Sequence, residues 1–148
     1  MIQVIGRRDR ADFPEFGLFD IEAKVDTGAF TSALHCARVK VIEEKGIPKI
    51  SFHILDAHRP DVEVREFTTR FFTRKKIKNS FGQSELRYVI KTKIILFGRI
   101  IRAEFSLADR TEMRYPVLLG RKLLRNKFIV DVARADLSYQ QKKNTFHN

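Results

Sequence analysis

Apolar and polar residues alternate with a period of two along much of the chain, the pattern of strands that bury one face and wet the other. Ala37-Arg38-Val39-Lys40-Val41 and Ile50-Ser51-Phe52-His53-Ile54 alternate on either side of Glu43-Glu44-Lys45-Gly46. The glycine can supply the positive φ of a tight reversal, so a β-hairpin is predicted here. A second hairpin is predicted for residues 89–97 against 100–107 around Gly98-Arg99. One short helix is expected over residues 121–126, directly after Gly120 and ahead of the run Phe128-Ile129-Val130-Asp131-Val132, which reads as a strand. Beyond Ala133 the chain turns polar; residues 136–148 read as a polar tail, of which residues 140–148 have no periodicity and are expected to fray. The prediction is a mainly β protein with one domain over residues 1–135.

Composition sharpens this picture. With 148 residues, 43% of them apolar and 13 of them Phe, the chain can build one core and is not a disordered sequence. The longest aliphatic stretch, residues 94–97, is far too short for a signal-peptide core or a membrane span, so a soluble, cytoplasmic protein with no membrane partner is expected. The single cysteine, Cys36, excludes an internal disulfide and fits a reducing compartment.

Formal net charge is +11, and it is concentrated: residues 65–93 hold nine basic and two acidic side chains. Within them Arg70-Phe71-Phe72-Thr73-Arg74-Lys75-Lys76-Ile77-Lys78 interleaves aromatics with cations, a combination suited to phosphate attraction and base stacking. The same pattern also describes a two-stranded ribbon with solvated cations and one Phe turned into the core. The ribbon is the favoured reading, with a nucleic-acid or ribosome-associated module as an alternative.

Candidate chemistry is concentrated in Ala23-Lys24-Val25-Asp26-Thr27-Gly28-Ala29, where a carboxylate closes a β-type run ahead of a hydroxyl and a glycine. Hydrolysing an amide without a metal or a nucleophile needs one carboxylate to take a proton from water and a second carboxyl to give one to the carbonyl oxygen. Gly28 permits close backbone approach and can turn an N–H toward Asp26, and the Thr27 hydroxyl can pin the loop. Alone, the tripeptide is also an ordinary turn. The second element is Pro116-Val117-Leu118-Leu119-Gly120-Arg121-Lys122-Leu123-Leu124.

Together the two motifs resemble the retropepsin-like aspartic proteases. More closely, residues 23–36 with Asp109-Arg110-Thr111-Glu112-Met113-Arg114-Tyr115-Pro116 and the Leu-Leu-Gly-Arg segment resemble the bacterial family labelled ATP-dependent zinc proteases, over residues 2–132. The resemblance implies a closed β-barrel of the acid-protease type and assigns Asp26 as the catalytic aspartate. It assigns Thr27, Gly28 and Ala29 with Leu118, Leu119 and Gly120 as the loop and its support, and Arg121 as an interface arginine. Phe30 stands where retroviral relatives carry an acidic partner for such an arginine, so that ion pair cannot form in the usual way. The flap would fall on the ribbon over residues 65–88, with Gly82 at its tip and Arg74, Lys75, Lys76 and Lys78 available to a partner.

One Asp-Thr-Gly per chain implies a homodimer with paired Asp26 carboxylates. The family association implies a peptide or protein substrate, acidic or glutamate-extended, and a link to an ATP-grasp glutamate ligase. No cofactor is expected: there is no His-Glu-x-x-His, the four histidines have no ligand spacing, and no phosphate-binding glycine loop occurs. His35 and Cys36 are adjacent on a predicted strand and point to opposite faces, which argues against a thiol dyad and makes Cys36 a core residue. The competing reading is a catalytically silent peptide-binding module.

Overall fold

The structure is a computed structural model that describes residues 1–78, 81–109 and 114–147, with residues 146 and 147 described by backbone alone. The chain runs β1 (Gln3–Ile5), β2 (Arg8–Phe13), a 3-10 turn (Pro14–Phe16), β3 (Leu18–Val25), β4 (Ser32–Glu44), β5 (Ile47–Ile54), α1 (Pro60–Glu63), β6 (Phe67–Thr69) and β7 (Phe72–Lys78). It continues through β8 (Ser84–Leu96), β9 (Arg99–Ala108), β10 (Val117–Leu119), α2 (Arg121–Leu124), β11 (Phe128–Val130) and α3 (Leu137–His147). Strands dominate, as the alternation predicts.

The main sheet has the order β10-β3-β2-β8-β9-β4-β5-β6, with β7 on β8. Because β10 also pairs with β4, the six strands β10, β3, β2, β8, β9 and β4 form a ring of pairings. A separate parallel pair, β1 with β11, uses part of the predicted 128–132 strand. The two hairpins form. Glu44 pairs with Ile47 across Lys45-Gly46, and Leu96 with Arg99 across Phe97-Gly98, so the second turn sits one residue earlier than predicted. All four turn residues have φ between 53° and 79°, the conformation a two-residue reversal needs to match strand twist.

Inward positions of β3 show the period of two directly: Ile21, Ala23 and Val25 are buried while Lys24 is exposed. The ring closes over a core in which Phe13 and Phe105 meet edge to face at 5.5 Å. Cys36 is fully buried in that core, and burial pushes its thiol well above the ordinary range, which suppresses the thiolate.

The expected frayed tail is instead helix α3, and its anchors are polar. Asp9 is buried and accepts hydrogen bonds from the N–H groups of Ser138 (2.8 Å) and Tyr139 (3.1 Å), at the orphan donors of the helix start. Burial raises the Asp9 carboxyl above its usual range, and these N–H donors pull it back. Ser138 Oγ accepts the Phe97 N–H at 2.8 Å, and Lys142 Nζ bridges Asp12 (3.0 Å) and Asp20 (2.8 Å).

The basic segment does form a ribbon, β7 on β8, with Phe72 half-buried and Phe71 exposed. Its cations are not all free. The Arg74 guanidinium lies 5.6 Å from the Tyr88 ring centre, and Lys75 Nζ is 2.8 Å from Glu104 Oε2 on β9. Gly82 has a φ of 79° near the tip.

Candidate functional site

β3 ends at Val25: the Asp26 N–H still donates to the Leu119 carbonyl at 2.9 Å, the last bond of the β3–β10 ladder, and the chain then turns, with the Ala29 N–H donating back to the Asp26 carbonyl at 3.2 Å. Within that turn the Gly28 N–H donates to Asp26 Oδ1 at 3.0 Å. A Cβ at Gly28 would stand 3.2 Å from the same oxygen, so glycine allows this approach. Asp26 is half-buried, with Thr27 and Gly28 exposed beside it. The result is a carboxylate of fixed direction, open to solvent, able to exchange a proton with a water placed on it.

The second motif lies directly under this loop. β10 enters between β3 and β4, parallel to one (Leu119 opposite Val25) and antiparallel to the other (Leu118 opposite Ala33). The chain then turns at Gly120 into α2. The Arg121 N–H donates to the Ala29 carbonyl at 2.8 Å and the Lys122 N–H to the Phe30 carbonyl at 2.9 Å. A Cβ at Gly120 would come within 2.8 Å of the Phe30 carbonyl oxygen and 3.0 Å of that of Ala29, a contact no other residue could make unmoved. Asp26, Thr27, Gly28, Ala29, Leu118, Leu119, Gly120 and Arg121 therefore come together, although the two segments are far apart in sequence.

Arg121 is engaged within its own chain. Its Nη1 donates to the Thr27 carbonyl at 2.8 Å, and its guanidinium sits 5.8 Å from the Phe30 ring centre. Phe30, the residue that departs from the retroviral pattern, thus provides a cation–π partner where an acid would provide an ion pair.

The sequence pattern did not mark Ser32. It is buried, and its Oγ accepts the Gly120 N–H at 2.9 Å, tying the start of β4 to the turn before α2. A hydroxyl at an inward strand position was the available signal. Glu104 is a second such residue: it holds both Lys75 of β7 (2.8 Å) and Lys122 of α2 (3.1 Å), and these contacts keep its carboxyl below the usual range, Lys75 foremost. Through it the ribbon is joined to α2. Among the described residues, Arg74, Lys75, Lys76 and Lys78 make no hydrogen bond or ion pair to the 26–30 loop. Residues 110–113 of the Asp109–Pro116 motif lie outside the described residues.

Among the described residues no three His, Cys, Asp or Glu side chains gather as metal ligands, so the donor set present does not fit a zinc centre. Among the described residues no helix is long and apolar enough to cross a membrane.

Comparison with known proteins agrees with the motifs. A protein of Shewanella pealeana named "Probable alpha-L-glutamate ligase" is 35% identical over 128 residues, and one of the same name from Desulfotalea psychrophila is 32% identical over 131. These alignments cover 86% and 88% of this chain, but the chain spans only 28% of the length of either relative. A crystal structure of a Legionella pneumophila protein of unknown function superposes with a TM-score of 0.73 at 26% identity, covering 91% of this chain and 97% of that one. Residues 4–142 match the family described as "Retropepsin-like aspartic endopeptidase RimB". Since that match takes in both the Asp26 loop and the β10–α2 turn that carries it, the chain belongs to the RimB-like family of retropepsin-like proteins.

Proposed function

We propose that the protein is an aspartic endopeptidase or amide hydrolase that works as a homodimer, with Asp26 of one copy paired with Asp26 of the other across a two-fold axis. The observation that supports this reading is the Asp26 loop itself, aimed by Gly28 and clamped from below by Leu119, Gly120 and Arg121. One such loop per chain makes the interface self-complementary. In the pair one carboxylate takes a proton from water as the water oxygen attacks the amide carbon, and the protonated partner gives its proton to the carbonyl oxygen. As the C–N bond breaks, the first carboxyl passes its proton to the nitrogen and the second takes one back from a hydroxyl of the adduct, releasing amine and acid and restoring the singly protonated pair. Thr27, Ala29 and Leu118 keep the loop in place, Arg121 stands at the edge of the pairing, and the β7–β8 ribbon is the flap. A closed barrel formed by the ring of strands would give each loop a rigid base.

The substrate class best supported is an acidic, glutamate-extended protein tail. The chain is strongly basic, and relatives named as glutamate ligases contain this segment as a minor part of a longer protein. That same relationship supports a partnership with a ligase acting on the same tails, in the cytoplasm. It also favours a second reading, a non-hydrolytic module that docks a ligase or its product.

The test is cleavage of a peptide carrying a carboxy-terminal hexaglutamate by the wild-type protein, by Asp26→Asn, and by mixtures of the two. The dyad requires that Asp26→Asn is inactive and that mixed dimers are inactive too. Mixed dimers with half the wild-type activity would refute a shared dyad. A wild-type protein that binds the peptide without cleaving it would establish the docking module instead.

A further inference from the structure

A groove of about 450 Å³ is bordered by Lys122 and Leu123 of α2, and none of residues 26–30 lines it. Its wall is the outward face of β8 and β9, with Lys91 and Lys93 on one strand and Arg102 on the other, and Lys127 closes it from the turn after α2. Phe71 and Leu123 supply apolar surface.

The charge in this groove is unbalanced. Its two acids are already used by the chain: Glu15 Oε1 accepts from Thr92 Oγ1 (3.0 Å) and from the Lys93 N–H (2.9 Å), and Glu104 holds Lys75 and Lys122. Lys91, Lys93, Arg102 and Lys127 have no side-chain hydrogen bond or ion pair among the described residues. Lys93 and Arg102 are directly opposite each other in the β8–β9 register. Like charges at that position repel, and an anion between them would relieve the repulsion.

We propose that this groove is a binding site for a ligand bearing two or more adjacent phosphoryl groups. Cation spacing favours that ligand over an acidic peptide: Lys93 and Arg102 face each other across one rung of the β8–β9 ladder, with Cβ atoms about 5 Å apart, closer than the roughly 6.6 Å between successive same-face side chains of an extended peptide. Adjacent phosphoryl groups carry the same charge on a few neighbouring atoms, and the Arg102 fork suits their paired oxygens. The site is independent of any role for Asp26.

The probe is inorganic tripolyphosphate, titrated calorimetrically at about 0.15 M ionic strength so that exposed charges are screened beyond ~8 Å. Wild-type protein should bind it one to one. Lys93→Gln with Arg102→Gln should weaken it by about tenfold or more, while Lys76→Gln with Lys78→Gln, which removes equal charge from the ribbon, should leave it unchanged. If the strand pair does not melt cooperatively, Lys127→Gln carries the same comparison. Equal loss in the ribbon variant would reduce the effect to net charge and overturn the site. So would hexaglutamate, or a single-stranded oligoribonucleotide, binding the groove more tightly than tripolyphosphate.

Discussion

Replacing Gly120 by alanine tests whether the Asp26 loop is held by close packing of backbone on backbone. Gly120 has φ −95° and ψ 175°, extended values open to any residue, so an alanine here brings no conformational strain. The cost is spatial. The new Cβ meets the Phe30 carbonyl oxygen at 2.8 Å, the Thr31 carbonyl carbon at 2.9 Å and the Ala29 carbonyl oxygen at 3.0 Å, all of them backbone. The two oxygens are the acceptors of the Lys122 and Arg121 N–H groups, so any shift that relieves the clash also lengthens the bonds that clamp the loop. Overpacking of this kind costs about 1–3 kcal/mol. For a chain of this size that is a fall in Tm of about 2 to 12 °C. Calorimetry measures the fall, and amide exchange at Arg121 and Lys122 locates it. Gly46→Ala is the control, since open space surrounds it and only its φ of 79° opposes a side chain. If Gly120→Ala melts within about 1 °C of wild type with both amides still protected, the loop is not fixed by this contact.

Two other perturbations have defined outcomes. Lys75 and Lys122 hold the Glu104 carboxyl below its ordinary value of 4.5, so its stabilising contribution is complete above that value and is lost as pH falls through the lowered folded value. Glu104→Gln should therefore lower the Tm at pH 7 by the equivalent of about 1 kcal/mol and converge with wild type in acid; a gap that persists there would show that the ion pairs are not its source. Ending the chain at Asp136 should cost about 3 kcal/mol or more, because the buried Asp9 carboxylate loses the Ser138 and Tyr139 N–H groups. A truncated protein with the wild-type denaturation midpoint would contradict that account.

What the sequence made legible was local. The Lys45-Gly46 hairpin, a second hairpin within one residue of its turn, the short helix after Gly120 and the end of β3 just before Asp26 all follow from alternation and turn chemistry within a few residues. Helix α3 did not, because it has no apolar stripe and its anchors, Asp9, Asp12 and Asp20, lie more than a hundred residues earlier in the chain. Ser32 was hidden for a related reason, since a buried hydroxyl acquires its purpose only from the Gly120 amide. Likewise Lys75 reads as a solvated ribbon charge until Glu104, on another strand, is seen to hold it. The motifs named the loop and its support, and folding supplied the bonds between them.

The clamp on the Asp26 loop also has a meaning in time. Arg121 and Thr27 are 94 residues apart in sequence, and Gly120 and Ser32 are 88 apart. Closing a loop of that length costs roughly 4 kcal/mol in chain entropy before any contact is repaid. At about 5–20 residues per second, a growing chain exposes Asp26 some 5–20 s before Gly120 and Arg121 are made. During that interval the carboxylate has neither the Leu119 carbonyl to set its backbone nor the Arg121 guanidinium to fix the turn. The clamp therefore cannot form until the chain has been made through Arg121, and until then a nascent chain carries Asp26 without the apparatus that aims it.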